Sequence, residues 1–199
     1  MSQRLVVLTQ GHSDPHTAKT ACSLLRYRRD DVVAVLDAIE CGKTAQELLG
    51  VGGDVPVIGD LQQVDDPTTL VIGIAPPGGK IPQSWRPIVC DAIRRGMDVI
   101  SGLHDFLTDD PQFVQEAAKH HVRLIDVRRN REKEIARRKD LRAECLRIHT
   151  VGHDCSVGKM VTSIEITNEL KRRGCDAKFL ATGQTGIMVD GDGVPVDCV

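Results

Sequence analysis

Short aliphatic runs alternate with amphipathic helical patterns along the first two thirds of this 199-residue chain. Runs of this length that are bounded by glycine, proline or aspartate are typical of buried strands. Strands that alternate with helices pair in parallel, and helices then cover both faces of the sheet. The sequence therefore predicts an α/β protein, with an open, doubly wound, Rossmann-like parallel sheet over about residues 1–128.

Six strands and the helices between them can be placed on this pattern. Apolar residues recur every three or four positions through Ala18–Leu25, Trp85–Ile93 and Phe113–Ala118, which indicates helices. Asp14-Pro15 and Asp110-Pro111 combine a capping carboxylate with a proline, a common helix start. The strands are predicted at residues 5–8, 31–37, 55–58, 70–75, 97–101 and 122–127.

Composition excludes several classes of partner. The net charge is −2, which gives no general attraction to nucleic acid or to anionic lipid. Three Phe, one Trp and one Tyr are too few for a surface that stacks bases. No apolar run approaches the roughly 18 residues of a membrane span, and the first run is too short for a signal peptide. We therefore expect a small-molecule substrate, with no nucleic-acid and no membrane partner.

The cysteines indicate a reducing compartment. They are odd in number and scattered, and none forms a C-x-x-C pair, which argues against a disulfide framework or a zinc site. We expect a cytoplasmic protein without a metal site. The seven are Cys22, Cys41, Cys90, Cys145, Cys155, Cys175 and Cys198.

A strongly charged stretch of mixed sign separates two α/β segments. Residues 128–142 hold both basic and acidic side chains and few apolar ones, which favours a solvated linker over a nucleic-acid patch. We place this linker at residues 129–145. A second domain is then predicted at 146–199, with a strand at Leu146–Val151, a helix to about Arg173 and a strand at Ala177–Ala181.

The stretch VGHDCSVGKM, residues 151–160, has the pattern of a phosphate-binding loop. A strand that feeds a glycine-containing turn and then a helix presents backbone N–H groups to an anion, and Lys159 adds a positive charge. Five residues rather than four separate Gly152 from Gly158, and Met160 replaces the usual magnesium-binding hydroxyl. The candidate phosphate or cofactor ligands are Gly152, His153, Asp154, Cys155, Ser156, Val157, Gly158, Lys159, Met160 and Thr162.

Two further groups are weaker candidates. A glycine- and aspartate-rich loop after the second strand of this domain offers a substrate loop of Gly183, Gln184, Thr185, Gly186, Asp190 and Asp192. In the first domain, the strand ends place together Gly11, His12, Asp37, Gly78 and Gly79. Asp37 stands where a dinucleotide-binding domain has its ribose-binding acid, but no G-x-G-x-x-G is present, so NAD is not expected.

The loop pattern G-x-D-x-x-V-G-K resembles that of dethiobiotin-synthetase-like P-loop proteins, with Asp154 as the acid inside the loop. Nearly the whole chain resembles the DgcN family. The resemblance rests on KTACSLLRY, GIAPPGGKIPQSWR and VISGLHDFLTDDP in the first domain, and on the Gly-Lys-Met loop and ATGQTGIM in the second. It implies a Rossmann-like domain followed by a P-loop domain, and N-acetyl transfer from acetyl-CoA to D-glutamate. Coenzyme A carries phosphates that such a loop could hold without magnesium.

Three departures from the family keep other functions open. His153 stands where the family tends to have Thr, the linker is unusually charged, and the chain ends at Val199 while family members continue. We therefore expect a truncated P-loop domain, and a homo-oligomer. The first alternative is an ATP- and magnesium-dependent phosphoryl-transfer enzyme or ligase. The second is a non-catalytic Rossmann-like binding module with a remnant loop.

Overall fold

Six short aliphatic strands form one parallel sheet: β1 (Leu5–Leu8), β2 (Val32–Leu36), β3 (Val57–Ile58), β4 (Thr69–Ile72), β5 (Asp98–Ser101) and β6 (Leu124–Asp126). Their order across the sheet is β3-β2-β1-β4-β5-β6. This order reverses between β1 and β4, as in the Rossmann fold. The predicted fold class is confirmed, and all six predicted strands are present. β1 has the predicted bounds, and the other five strands are shorter than predicted.

The computed structural model describes residues 3–74, 76–130, 141–154 and 157–196. The chain divides into two compact units, Met1–Arg129 and Asn130–Val199. The division lies at the start of the predicted charged linker, and residues 131–140 of that linker lie outside the described residues. No helix in the described parts of the chain is long and apolar enough to cross a membrane.

In the described part of the first unit, four α-helices accompany the sheet: α1 (Lys19–Tyr27), α2 (Ala45–Leu49), α3 (Arg86–Arg94) and α4 (Pro111–His120). Asp110 caps α4 as predicted, because its carboxylate accepts the backbone N–H groups of Gln112 and Phe113. The predicted cap at Asp14 is wrong for α1. Its carboxylate accepts the amides of His16 and Thr17 and closes a separate turn, and α1 begins only at Lys19.

The core of the first unit lies around the central strands. All four residues of β1 are completely buried, which is expected for a parallel strand with neighbours on both edges. Trp85 and Phe113 are the largest side chains of this core. The carboxyl ends of β1, β2 and β4 therefore stand on a rigid base, and the loops that follow them carry the first unit's candidate residues.

The second unit contains α5 (Lys159–Arg172) and α6 (Gln184–Asp190). The strands predicted at Leu146–Val151 and Ala177–Ala181 are wrong, since the described residues of this unit form no strand. A strand requires a neighbouring strand to which its backbone is hydrogen-bonded, and these two segments make almost no such backbone pairing. Leu146 is 85% exposed and Val151 is 80% exposed, and the second segment makes a single bridge, from Ala181 to Gly193.

The predicted substrate loop is also helical in its middle part. Gly183 precedes the helix and Gln184 begins it. Gly186 packs against Ala181 and Phe179 so closely that a Cβ there would lie 2.8 Å from the Ala181 Cβ. The buried side chains of Phe179 and Ala181 thus support α6 at Gly186.

Candidate functional site

The phosphate-binding candidate is built on the first turn of α5. Gly158 has φ 94° and immediately precedes the helix, a conformation that favours glycine. No described side chain caps this helix start. Its first N–H groups, together with the positive end of the helix dipole, are therefore directed at the loop, which is the arrangement that binds anions.

Lys159 lies back over the loop. Its ammonium donates a hydrogen bond to the carbonyl oxygen of Asp154. Its stem passes over Gly152, where an added Cβ would lie 3.3 Å from both Cγ and Cδ of Lys159 and 2.9 Å from Cγ2 of Val157. Gly152 is thus required to leave room for the lysine stem, and the ammonium of Lys159 is held against the backbone of Asp154.

Hydroxyl groups tie the base of the loop together. Thr150 Oγ1 lies 3.0 Å from the Lys159 carbonyl oxygen and 2.7 Å from Ser163 Oγ. Thr162 Oγ1 donates to the Gly158 carbonyl oxygen at 3.1 Å. Sequence reasoning missed Thr150, because a contact across the loop depends on the path of the chain and leaves no spacing pattern. Met160 brings no hydroxyl to the helix start.

The remaining loop candidates are exposed or lie outside the described residues. His153 and Asp154 are exposed, as a ligand-facing loop requires. Cys155 and Ser156 lie outside the described residues. In the candidate substrate loop, Gly183 is the residue before α6, and Gln184, Thr185, Gly186 and Asp190 lie within α6. Asp192 follows the helix and forms an ion pair of 2.7 Å with Lys178. The hydrogen bond that the Lys178 ammonium donates to the Asp192 carboxylate raises the pKa of Lys178.

In the first unit, Gly11, His12 and Asp37 meet at a cavity of about 270 Å³ beyond the ends of β1 and β2. Asp37 is completely buried. Its carboxylate accepts the backbone N–H groups of Gly11 and Ile39, each at 3.0 Å, and the Ser13 hydroxyl. Both carboxylate oxygens are thus used to join the two loops, whereas a ribose-binding acid presents its oxygens to a ligand.

The start of α1 is also covered by protein. The Ala21 N–H, in the first turn of α1, donates to the carbonyl oxygen of Gly73 at 2.9 Å. A dinucleotide-binding domain uses this helix start for a pyrophosphate. Trp85 is buried beside the loop that follows β1. Its indole N–H donates to the Gln10 carbonyl oxygen at 3.1 Å, and its ring lies edge-on to His12.

Gly78 and Gly79 belong to another part of the sheet edge. The Gly79 carbonyl oxygen accepts the N–H groups of His104 and Asp105, and the His104 ring lies so close that a Cβ at Gly79 would be 2.4 Å from its Cδ2. Both glycines have positive φ, 77° and 63°. They therefore connect the loop after β4 to the loop after β5, and the structure does not bring them to the cavity beside Asp37.

Two thiols in the first unit, the half-buried Cys22 and the buried Cys90, are poor candidates for nucleophiles. Burial raises the pKa of Cys22 and of Cys90. A thiol with a raised pKa stays protonated near neutral pH and reacts slowly. Within the described residues, no group of three or more His, Cys, Asp or Glu side chains is arranged to hold a metal ion.

Comparison with known proteins gives two family matches in chain order. Residues 39–130 match the Rossmann-like domain of the domain of unknown function DUF1611, and residues 133–199 match its P-loop domain. The crystal structure of a DUF1611 family protein from Anabaena variabilis superposes with a TM-score of 0.84 at 35% sequence identity, covering 99% of this chain and 58% of that one.

Two curated relatives are both named D-glutamate N-acetyltransferase. The protein from Pseudoalteromonas is 43% identical over 131 residues, which are 66% of this chain and 39% of the relative. The protein from Tritonibacter scottomollicae is 37% identical over 198 residues, which are 94% of this chain and 54% of the relative. The chain thus spans about half the length of the curated relatives it matches, or less.

Proposed function

Because this chain belongs to the DUF1611 family and carries its Rossmann-like and P-loop domains in order, we propose that it functions in N-acetyl transfer from acetyl-CoA to D-glutamate. The names of the two curated relatives support the reaction. The observation that carries the proposal for this chain is the loop at the start of α5. It offers backbone N–H groups and one ammonium, and Met160 replaces the usual magnesium-binding hydroxyl.

The loop suits the phosphates of coenzyme A. Backbone N–H groups and a lysine are general phosphate donors, and they bind without a metal ion if the ligand needs no charge neutralisation for chemistry. In acetyl transfer the phosphates do not react. The Lys159 ammonium would exchange the Asp154 carbonyl oxygen for a phosphate oxygen, which is a stronger acceptor because it is charged.

The reaction defines what the rest of the protein must supply. The unprotonated amine of D-glutamate attacks the thioester carbonyl carbon, and a carbon–nitrogen bond forms as the carbon–sulfur bond breaks. The amine loses a proton and the departing thiolate gains one. Anchoring the phosphates fixes the thioester in place, so the loop contributes through positioning rather than through proton transfer.

A thiol-release assay tests the proposal. The full protein is mixed with acetyl-CoA and D-glutamate, with L-glutamate as the matched control, in magnesium and in EDTA. We expect release of coenzyme A that requires D-glutamate and is the same in both buffers. No release under either condition would contradict the proposal.

We place the reaction in the cytosol, since the described cysteines Cys22, Cys41, Cys90, Cys145 and Cys175 are unpaired.

The first alternative is ATP-dependent phosphoryl transfer or ligation, and Asp154 in the loop is the observation that favours it. Calorimetric titration separates the two ligands. Binding of Mg-ATP that is tighter than binding of coenzyme A and that disappears in EDTA would favour the alternative. A non-catalytic binding module is the remaining possibility, and turnover by the full protein would refute it.

A further inference from the structure

The hydroxyl of Thr150 closes the loop at its base. Its Oγ1 donates to the carbonyl oxygen of Lys159, 3.0 Å away and nine residues further along the chain. This bond joins the residue before the loop to the first residue of α5. The backbone of Lys159 is therefore fixed relative to the chain that enters the loop.

The bond to the Lys159 carbonyl oxygen fixes the direction of the contact between Thr150 and Ser163. A hydroxyl has one proton to donate. Because Thr150 gives its proton to the Lys159 carbonyl oxygen, Ser163 is the donor in the 2.7 Å contact between the two hydroxyls. The two side chains form an ordered chain of hydrogen bonds from α5 through Thr150 and back to α5.

Lys159 depends on this closure more than the helix does. Its stem lies over Gly152 and its ammonium reaches the Asp154 carbonyl oxygen, so both contacts are with the entering half of the loop. The helix itself has an alternative. Without Thr150, the Ser163 hydroxyl could bond a carbonyl four residues back, as Thr167 bonds the carbonyl of Ser163 at 2.8 Å.

We propose that Thr150 positions Lys159 for phosphate binding, with Ser163 orienting the Thr150 hydroxyl. The inference rests on the proposed function of the loop. It assigns to Thr150 no contact with the ligand and no part in the reaction.

The test uses the full protein and coenzyme A as the probe. Thr150→Val removes the hydroxyl at constant shape, and we expect about three- to tenfold weaker binding, the loss of one hydrogen bond. Thr150→Ser restores the hydroxyl and should restore binding. Thr167→Val is the matched control, because it removes a threonine hydroxyl bonded to a carbonyl of the same helix, and it should leave binding unchanged.

A double mutant separates positioning from general damage. If Thr150 acts through Lys159, Thr150→Val should cost nothing further in a Lys159→Ala protein. An equal loss in both backgrounds would overturn the proposal.

Chemical labelling of Lys159 gives a readout that needs no ligand. An N-hydroxysuccinimide ester acetylates the lysine, and mass spectrometry follows the rate. We expect about threefold faster labelling in Thr150→Val and no change in Thr167→Val.

The two readouts distinguish the failures. Unchanged labelling in Thr150→Val would overturn the role of Thr150 whatever ligand binds. Faster labelling in a protein that binds no coenzyme A would support the role of Thr150 and contradict the proposed function.

Discussion

Gly152→Ala tests whether the loop depends on the space above Gly152. The new Cβ would lie 2.9 Å from Cγ2 of Val157 and 3.3 Å from Cγ and Cδ of Lys159. Carbon atoms without a bond between them come into favourable contact at about 3.5 Å or more. Val157 must therefore move by roughly 0.6 Å and the Lys159 stem by roughly 0.2 Å, or the backbone of Gly152 must retreat by a similar amount.

The expected loss of binding free energy follows from the weaker hydrogen bond between the Lys159 ammonium and the ligand. A hydrogen bond to a charged group contributes about 1.5–3 kcal/mol, and a displaced stem forfeits part of it. We expect coenzyme A to bind more weakly by about 1–2 kcal/mol, which is roughly five- to thirtyfold. Stability should change little, because Gly152 is exposed and its φ is not in the left-handed region.

Isothermal titration of coenzyme A measures the affinity, and urea unfolding measures the stability. Gly59→Ala is the control, since a Cβ there would meet Cys41 Sγ at 3.4 Å, an ordinary contact, in the other unit of the chain. Unchanged affinity in Gly152→Ala, together with weakened binding in Lys159→Ala, would refute the reasoning. It would show that the lysine acts without its path over Gly152.

Three further predictions follow from the same structure. Lys159→Ala should weaken coenzyme A binding by about 1.5–3 kcal/mol in calorimetry, and unchanged affinity would show that the loop binds no phosphate. Met160→Thr restores a hydroxyl at the helix start, and titrations with ATP in magnesium and in EDTA should then differ; identical curves would place no metal there. Arg86 lowers the pKa of Asp110 by hydrogen bonding, so this pair contributes stability above the ordinary carboxyl pKa that is lost as pH falls. Asp110→Asn should accordingly be destabilised at neutral pH and approach the wild type in acid, when thermal unfolding is followed from pH 7 to pH 3; a constant difference would contradict the assignment.

The first unit could be predicted because its sequence is locally consistent. The aliphatic runs of β1, β2 and β4 are buried on both faces, and such strands leave a continuous apolar pattern. Helix α2 was missed, although Thr44 and Glu47 form a capping box that is visible as T-x-x-E.

The second unit could be predicted only in part. Helix α5 is set by local pattern and by glycines at its two ends, so its bounds were close to the expected ones. A strand depends on its neighbour in the sheet, which a local pattern cannot supply. The residues of both predicted strands, Leu146–Val151 and Ala177–Ala181, are suitable for a strand. In the described chain, however, their backbones pair with almost no neighbouring segment.

The two candidate sites differ in what their polar groups are free to do. At the cavity of the first unit, both oxygens of the Asp37 carboxylate are already bonded to protein, and in the same unit an N–H of the first turn of α1 is bonded to the Gly73 carbonyl oxygen. A ligand that used them would have to break those bonds in a buried setting, where an unsatisfied polar group costs about 1–3 kcal/mol. At the loop of the second unit, Lys159 gives up only a neutral carbonyl in an exposed position, and phosphate returns a stronger bond. The cost of replacing these hydrogen bonds therefore favours anion binding at the start of α5. It favours a structural role for Asp37, which joins the loops after β1 and β2.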